Sequence, residues 1–267
     1  MINTIVVGAA GRMGGRLISL IKDSTSLTLS GAVETAGHRA LGEDAGEQAG
    51  CGRLGVAITD HLPALLEQGE VVIDFSSPAS SLANLGEVSK RKRAMVIGTT
   101  GFTPQETGEL KRLAQQVPCV FSPNMSVGVN VLFKVLAEIA KTLGEEYDIE
   151  VIEAHHRLKK DAPSGTAMKI AEVLARAMNR DLGQVGVYER HGMIGERTRQ
   201  EIGVQTIRAG DIVGDHTVLF GGLGERIEVT HRAHSRDAFA RGALRAAQWV
   251  VAQPPGLYDM LDVLRLR

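Results

Sequence analysis

A chain of 267 residues, 43% apolar and 23% charged, can fold around one large core or two modest ones; this composition excludes disorder and a membrane-embedded fold. A formal net charge of −1 gives no global pull toward nucleic acid or anionic lipid, and 4% aromatic content is too low for base-stacking platforms. Cys51 and Cys119 lie far apart in no metal or redox spacing, the N-terminus carries no basic leader, and no apolar run reaches spanning length. The expectation is a cytoplasmic protein with buried thiols, no metal site, and no nucleic-acid or membrane partner.

Thr4 to Val7 is a short apolar run followed by Gly8-Ala9-Ala10-Gly11-Arg12-Met13-Gly14, and from Arg12 the pattern turns helical with Met13, Leu17, Ile18 and Ile21 on one face. Strand, glycine turn and helix in that order are the context of a dinucleotide site. The first glycine permits the turn, the second admits a pyrophosphate, and the third lets helix and strand pack closely. Leu27 to Val33 reads as the next strand and ends in Glu34, whose carboxylate suits the hydroxyls of an adenosine ribose. Further strands are expected at Glu70 to Phe75, Ala94 to Ile97 and Pro118 to Phe121, with Ser77 and Pro78 opening a helix and another helix over Thr107 to Gln116. This alternation predicts a parallel sheet. Gly98, Thr99 and Thr100, and Ser122, Pro123, Asn124 and Met125, follow strand ends and are candidates for the nicotinamide end of the site.

After Val127 the pattern changes. Helices are expected over Val129 to Leu143 and Thr166 to Asn179, and strands over Tyr147 to Ala154, Gly203 to Ala209, His216 to Phe220 and Glu225 to Ala233. In the last of these, Ile227, Val229 and Ala233 alternate with polar neighbours, which predicts one buried face. Strands this close together imply a mixed or antiparallel sheet covered by helices. A final helix over Arg236 to Val251, with Ser235 as its cap, is expected to pack back on the first domain. The fold class is therefore α/β: an N-terminal Rossmann-type doubly wound parallel sheet with a second α+β domain carrying a mixed sheet. The expected boundaries are 1–126 plus 237–267 for the dinucleotide-binding domain and 127–236 for the second.

The segment EAHHRLKKDAPSGTA, Glu153 to Ala167, gathers His155, His156, Arg157, Lys159 and Lys160 ahead of a helix start at Ser164, Gly165 and Thr166. A helix terminus is an anion site, and the basic side chains add to it, so a small dicarboxylate suits the arrangement. A reductase also needs a proton source. His155 and Lys159 both qualify, and their spacing does not choose between them.

With VGAAGRMG at Val7 to Gly14, VIGTTGF at Val96 to Phe102, NMSVGVNV at Asn124 to Val131, RAGDIVGDH at Arg208 to His216 and VTHRAHSR at Val229 to Arg236, this segment makes the sequence resemble the 4-hydroxy-tetrahydrodipicolinate reductase (dihydrodipicolinate reductase) family of lysine and diaminopimelate biosynthesis. The resemblance implies a homotetramer that uses NADH or NADPH to reduce the conjugated cyclic imine formed from aspartate semialdehyde and pyruvate, with the second domain binding substrate and mediating oligomerisation. It implies proton-donor roles for His155 and Lys159 and substrate contacts at His156, Gly165, Thr166 and Arg236. It implies cofactor contacts from Gly8 to Met13 and at Glu34, Gly98 to Thr100 and Ser122 to Met125. Thr35 stands where relatives that use NADPH carry a basic residue, which tilts the choice toward NADH, although His38 and Arg39 are near enough in sequence to substitute. Two other readings use the same cofactor fold: a semialdehyde dehydrogenase, which needs a nucleophilic cysteine, and a non-catalytic dinucleotide sensor, which would have no use for His155 and Lys159.

Overall fold

The computed structural model describes every residue from Met1 to Arg267. In chain order the elements begin β1 (Ile2–Val7), α1 (Arg12–Lys22), β2 (Leu27–Val33), α2 (Ala45–Gln48), β3 (Ile58–Thr59), α3 (Leu62–Leu65), β4 (Val71–Asp74) and α4 (Pro78–Lys90). They continue with β5 (Ala94–Ile97), α5 (Pro104–Ala114), β6 (Pro118–Phe121), α6 (Val127–Leu143), β7 (Asp148–His155), α7 (Gly165–Ala177), α8 (Leu182–Val185) and β8 (Gly186–Val187). The chain ends with β9 (Ile202–Arg208), β10 (Gly214–Gly221), β11 (Arg226–Ala233), α9 (Asp237–Val250), β12 (Gly256–Tyr258) and α10 (Met260–Val263). Two compact units result: residues 1–127 with 236–267, and residues 128–235.

The first unit holds a seven-stranded sheet in the order β12-β6-β5-β4-β1-β2-β3, and every pairing in it is parallel. Six of these strands run in the dinucleotide-binding order, which reverses direction between β1 and β4. The strands are apolar on both faces because helices cover both. Val6 and Ile73 join Leu17 and Ile18 of α1 and Ala243 and Ala247 of α9 in one core layer. Ile5 and Val72 join Leu85 of α4 and Leu110 of α5 in the other. The last helix thus returns to this sheet.

The second unit holds a five-stranded sheet in the order β11-β10-β7-β9-β8. The β7–β9 and β8–β9 pairs are parallel and the β7–β10 and β10–β11 pairs antiparallel, so the sheet is mixed. Leu136 of α6 and Ile170 and Leu174 of α7 cover Ile149, Val151, Val204 and Val218.

Two local expectations are corrected. The helix expected from Thr107 starts at Pro104, because Thr103 and Glu106 form a reciprocal capping box. The cap position of the last helix is held by Arg236, one residue beyond the expected Ser235, and Asp237 supplies the negative charge in the first turn, bridged to Arg16 of α1 at 2.8 Å. On β11, the sheet edge, the expected alternation holds but fades along the strand. Ala233 is buried, His231 and Val229 are half-buried, with Val229 packed on the core of this unit, and Ile227 is 37% exposed, whereas Arg226, Glu228, Thr230 and Arg232 are all exposed.

Candidate active site

In the first unit, Val7 and Gly8 at the end of β1, Val33 and Glu34 at the end of β2, and Phe75 and Ser76 after β4 open onto a cleft of about 600 Å³. This is the carboxyl edge of the strands at the point where the order reverses, the usual ligand crevice of open α/β sheets. Gly8 takes φ +73°, and a Cβ at Gly14 would lie 2.1 Å from the Gly8 carbonyl oxygen, so both positions need glycine. The amides of Gly8 and Ala9 donate to Val33 O (2.9 and 3.0 Å) and that of Gly11 to Gly8 O (3.0 Å), which fixes the loop. The first turn of α1, at Arg12 and Met13, has no side-chain cap and keeps the free N–H groups that attract a phosphate. Glu34 accepts from the amides of Ala10 (3.1 Å) and Thr35 (2.9 Å), which hold its carboxylate beside the loop. A backbone cradle, an uncapped helix start and an oriented carboxylate on one cleft fit a nicotinamide dinucleotide.

The other cofactor candidates take several roles. Thr99 is buried; its hydroxyl accepts from Ser81 (2.8 Å) and faces Asp74 at 3.5 Å. Thr100 and Pro123 are exposed, and Gly98 lies between. Ser122 Oγ donates to Asn124 O, and Asn124 Oδ1 accepts from the Ser126 amide, both at 2.9 Å, which makes a tight turn after β6. Met125 buries its side chain in the core. Sequence reading missed Asp60, Ser80 and Asn84, which also line the cleft.

In the second unit, the helix-covered face of the sheet changes character along its strands. On β7 it runs Ile149, Val151, Glu153, His155; on β9 Ile202, Val204, Thr206, Arg208; on β10 Phe220, Val218, His216, Gly214. All three strands turn from apolar to polar at the same end, and the N-terminus of α7 meets them there. Glu153 is fully buried and accepts from both Arg208 terminal nitrogens (2.8 and 2.9 Å), the Ser164 amide (3.0 Å) and Thr206 Oγ1 (3.3 Å). His155 Nδ1 lies 2.5 Å from Glu153 Oε2. The rings of His155 and His216 meet edge to face at 5.2 Å, and Ser164 Oγ and His216 Nε2 share a hydrogen bond of 3.1 Å. Burial lowers the His155 pKa, against the raising effect of Glu153, and pushes His216 down to about 3. Arg208 and its other donors outweigh burial at Glu153 and hold that carboxyl below its ordinary range.

Of the residues singled out by sequence, His155 ends β7 and is 8% exposed, with half-buried His156 next to it. Lys159 Nζ contacts both oxygens of Asp161 at 2.8 and 2.9 Å. Gly165 and Thr166 open α7, capped by Ser164 Oγ, which accepts from the Ala167 amide at 3.1 Å. Arg236 belongs to the first unit, at the cap of α9. Sequence reading did not identify Glu153, Thr206, Arg208 and His216 as site residues, although alternation along β7, β9 and β10 places them on the same face as the buried Val151, Val204 and Val218, with Glu153 and His216 buried, Arg208 half-buried and Thr206 exposed. Cys119 is buried in β6 with its thiol pushed up to about 12, so it is no nucleophile, and the semialdehyde dehydrogenase reading loses its chemistry.

A dinucleotide-type sheet joined to a second unit with a buried, charge-neutralised histidine centre defines an oxidoreductase of the nicotinamide-dependent class. Family models described as dihydrodipicolinate reductase, N-terminus and C-terminus, match residues 2–125 and 128–264. The chain is 57% identical to the 4-hydroxy-tetrahydrodipicolinate reductase of Geobacter metallireducens and 55% identical to that of Syntrophus aciditrophicus, in each case over all of both chains. A dipicolinate-bound dihydrodipicolinate reductase from Paenisporosarcina sp. TG-14 shares the fold, with a TM-score of 0.74, 22% identity and 98% of each chain covered. The chain belongs to the dihydrodipicolinate reductase family, and it is an enzyme of that family rather than a bare dinucleotide-binding module.

Proposed function

We propose that this chain reduces the cyclic conjugated imine derived from 4-hydroxy-tetrahydrodipicolinate to tetrahydrodipicolinate, in the lysine and diaminopimelate pathway, with NADH as the preferred reductant. The observation that carries the reading is the buried His155 centre beside the start of α7, in a chain that matches this family from end to end. The first unit, with boundaries near 126 and 237, binds the dinucleotide; the second binds substrate.

The dinucleotide, when bound, supplies the hydride. Arg12 and Met13 amides at the head of α1 receive its phosphates, and Glu34 its adenosine ribose, with Gly98 to Thr100 and Ser122 to Met125 toward the nicotinamide end. Glu34 and Asp60 both face the cleft beside Thr35 and Ala36. Two carboxylates repel a 2′-phosphate. The basic alternatives lie elsewhere: His38 turns Nδ1 back to accept from the Ala40 amide (3.2 Å), and Arg39 is exposed. This supports NADH.

In the second unit, the N–H groups of Gly165 and Thr166 receive one substrate carboxylate, and His156 and Lys159 add hydrogen bonds and charge; the family resemblance adds Arg236, which belongs to the first unit, as a substrate contact. Negative charge grows toward the ring nitrogen during reduction, and cations already fixed in place stabilise it more in the transition state than in the ground state. His155 gives the proton, and Lys159 remains the fixed cation. The Paenisporosarcina relative binds dipicolinate, a dicarboxylate, which supports a small dicarboxylate as the substrate here. Assembly as a homotetramer in the cytoplasm belongs to the same reading; the exposed apolar side chains Met193, Ile194, Ile207 and Ile227, all in the second unit, support association there.

The test is turnover of His155→Gln and Lys159→Ala. Loss of acid catalysis at His155 is expected to lower kcat by about two orders of magnitude or more, with a comparable loss for Lys159→Ala. Near-normal turnover in both variants would contradict the assignment.

A further inference from the structure

We propose that Glu153 is the positioning residue of the proton donor: it holds the His155 ring in its Nδ1–H form, so that the proton delivered to substrate leaves from Nε2. The inference rests on the reading of His155 as that donor. Glu153 follows from the strand pattern, two residues before His155 on the same face of β7, where another apolar residue would complete the core.

The hydrogen bonds decide the tautomer. Arg208 grips both carboxylate oxygens, and the Ser164 amide and Thr206 hydroxyl add two more donors. A carboxylate so surrounded is ionised and can only accept. The ring nitrogen at 2.5 Å must therefore donate, and proton exchange falls to the other nitrogen. The Nε2 edge lies against Gly214, where a Cβ would stand 3.0 Å from Nε2, so the glycine leaves room for the ring to stay in this pose. When the imidazolium gives up its proton, the Nε2–H bond breaks, the proton passes to the electron-rich substrate atom, and the neutral ring keeps Nδ1–H on Glu153.

Groups from every neighbouring strand act on this ring: Glu153 on its own strand, Arg208 on β9, His216 on β10, and Lys159 with Asp161 from the loop after β7. Beyond them, His231 on β11 acts on His216. Burial, Lys159 and Arg208 disfavour the imidazolium, whereas the Glu153 carboxylate favours it. Neutralising Glu153 therefore moves the loss of activity with rising pH to lower pH, as a merely structural role would not.

The first measurement is the nitrogen spectrum of neutral His155 in full-length protein labelled with ¹⁵N-histidine, with the signal assigned by its absence in His155→Gln. Nδ1–H is expected; an Nε2–H tautomer overturns the proposal without any Glu153 variant. Glu153→Gln, checked for native circular dichroism, is expected to lose about a hundredfold in kcat, the scale of a misplaced reacting group, with KM unchanged and the alkaline limb of kcat/KM moved down. Wild-type kcat and an unmoved limb overturn it; if that variant does not fold, the wild-type tautomer decides. Wild-type turnover in His155→Gln would instead remove the proton-donor reading, a result distinct from either.

Discussion

His216 shows what a single buried side chain costs. It sits 4% exposed beside His155 and Ser164, its Nδ1 has no hydrogen-bond partner, and burial holds its pKa near 3 against an ordinary 6.5. The folded state keeps it neutral where the unfolded chain would protonate it. Unfolding therefore takes up a proton between about pH 6.5 and about pH 3, and stability falls as pH falls through that window. Glu153 contributes with the same sign only at more acid pH, since its carboxyl titrates below the ordinary range. Denaturant unfolding at pH 6.5 and pH 5 should show wild type losing about 2 kcal/mol more than His216→Gln, whose amide can keep the Ser164 bond. Equal losses would mean that the ring is not buried neutral. Residues of this kind were hard to read from sequence: Arg208 and His216 follow Glu153 by 55 and 63 positions, and only strand pairing brings them together.

Elements read more easily when their signals are local. The glycine turn before α1, Ser77 and Pro78 before α4, and the apolar runs of β2, β5 and β6 carry their structure in consecutive residues, and all lie where sequence put them. Misreadings came where a neighbour decides. The start of α5 depends on a side-chain exchange between Thr103 and Glu106, and the fading burial along β11 on its place at the sheet edge. The polar end of the β7 face was legible in period two, as Ile149, Val151, Glu153, His155, but the basic run beside it drew the reading toward the loop. The turn at β1–α1 offers the sharpest test at this scale. Gly14→Ala places a methyl 2.1 Å from the Gly8 carbonyl oxygen, so the loop or helix must move. We expect dinucleotide affinity to fall at least about tenfold, since a misplaced backbone costs binding in steps of about 1.4 kcal/mol, while the far-ultraviolet spectrum stays native. Unchanged affinity by fluorescence titration would remove the close packing at Gly14 from the account.

At the scale of the molecule, two sheets divide the chemistry. In the function proposed above, the parallel sheet of the first unit offers backbone N–H groups and one oriented carboxylate to a dinucleotide, and the mixed sheet of the second offers a buried acid and a helix start to a dicarboxylate. Fold class was legible because the alternation of strand and helix stops after Val127 and gives way to neighbouring strands. Cofactor choice was not, because it depends on where His38 and Arg39 turn relative to Glu34, Thr35 and Asp60 in space. The measurement that tests the whole most directly is the initial rate of NADH and of NADPH oxidation by the wild-type chain with freshly condensed pyruvate and aspartate semialdehyde. Fast oxidation that requires the condensed substrate and runs more efficiently with NADH is the expected result. No oxidation with either dinucleotide, while both still bind, would contradict it and leave a sensor built on an enzyme's fold.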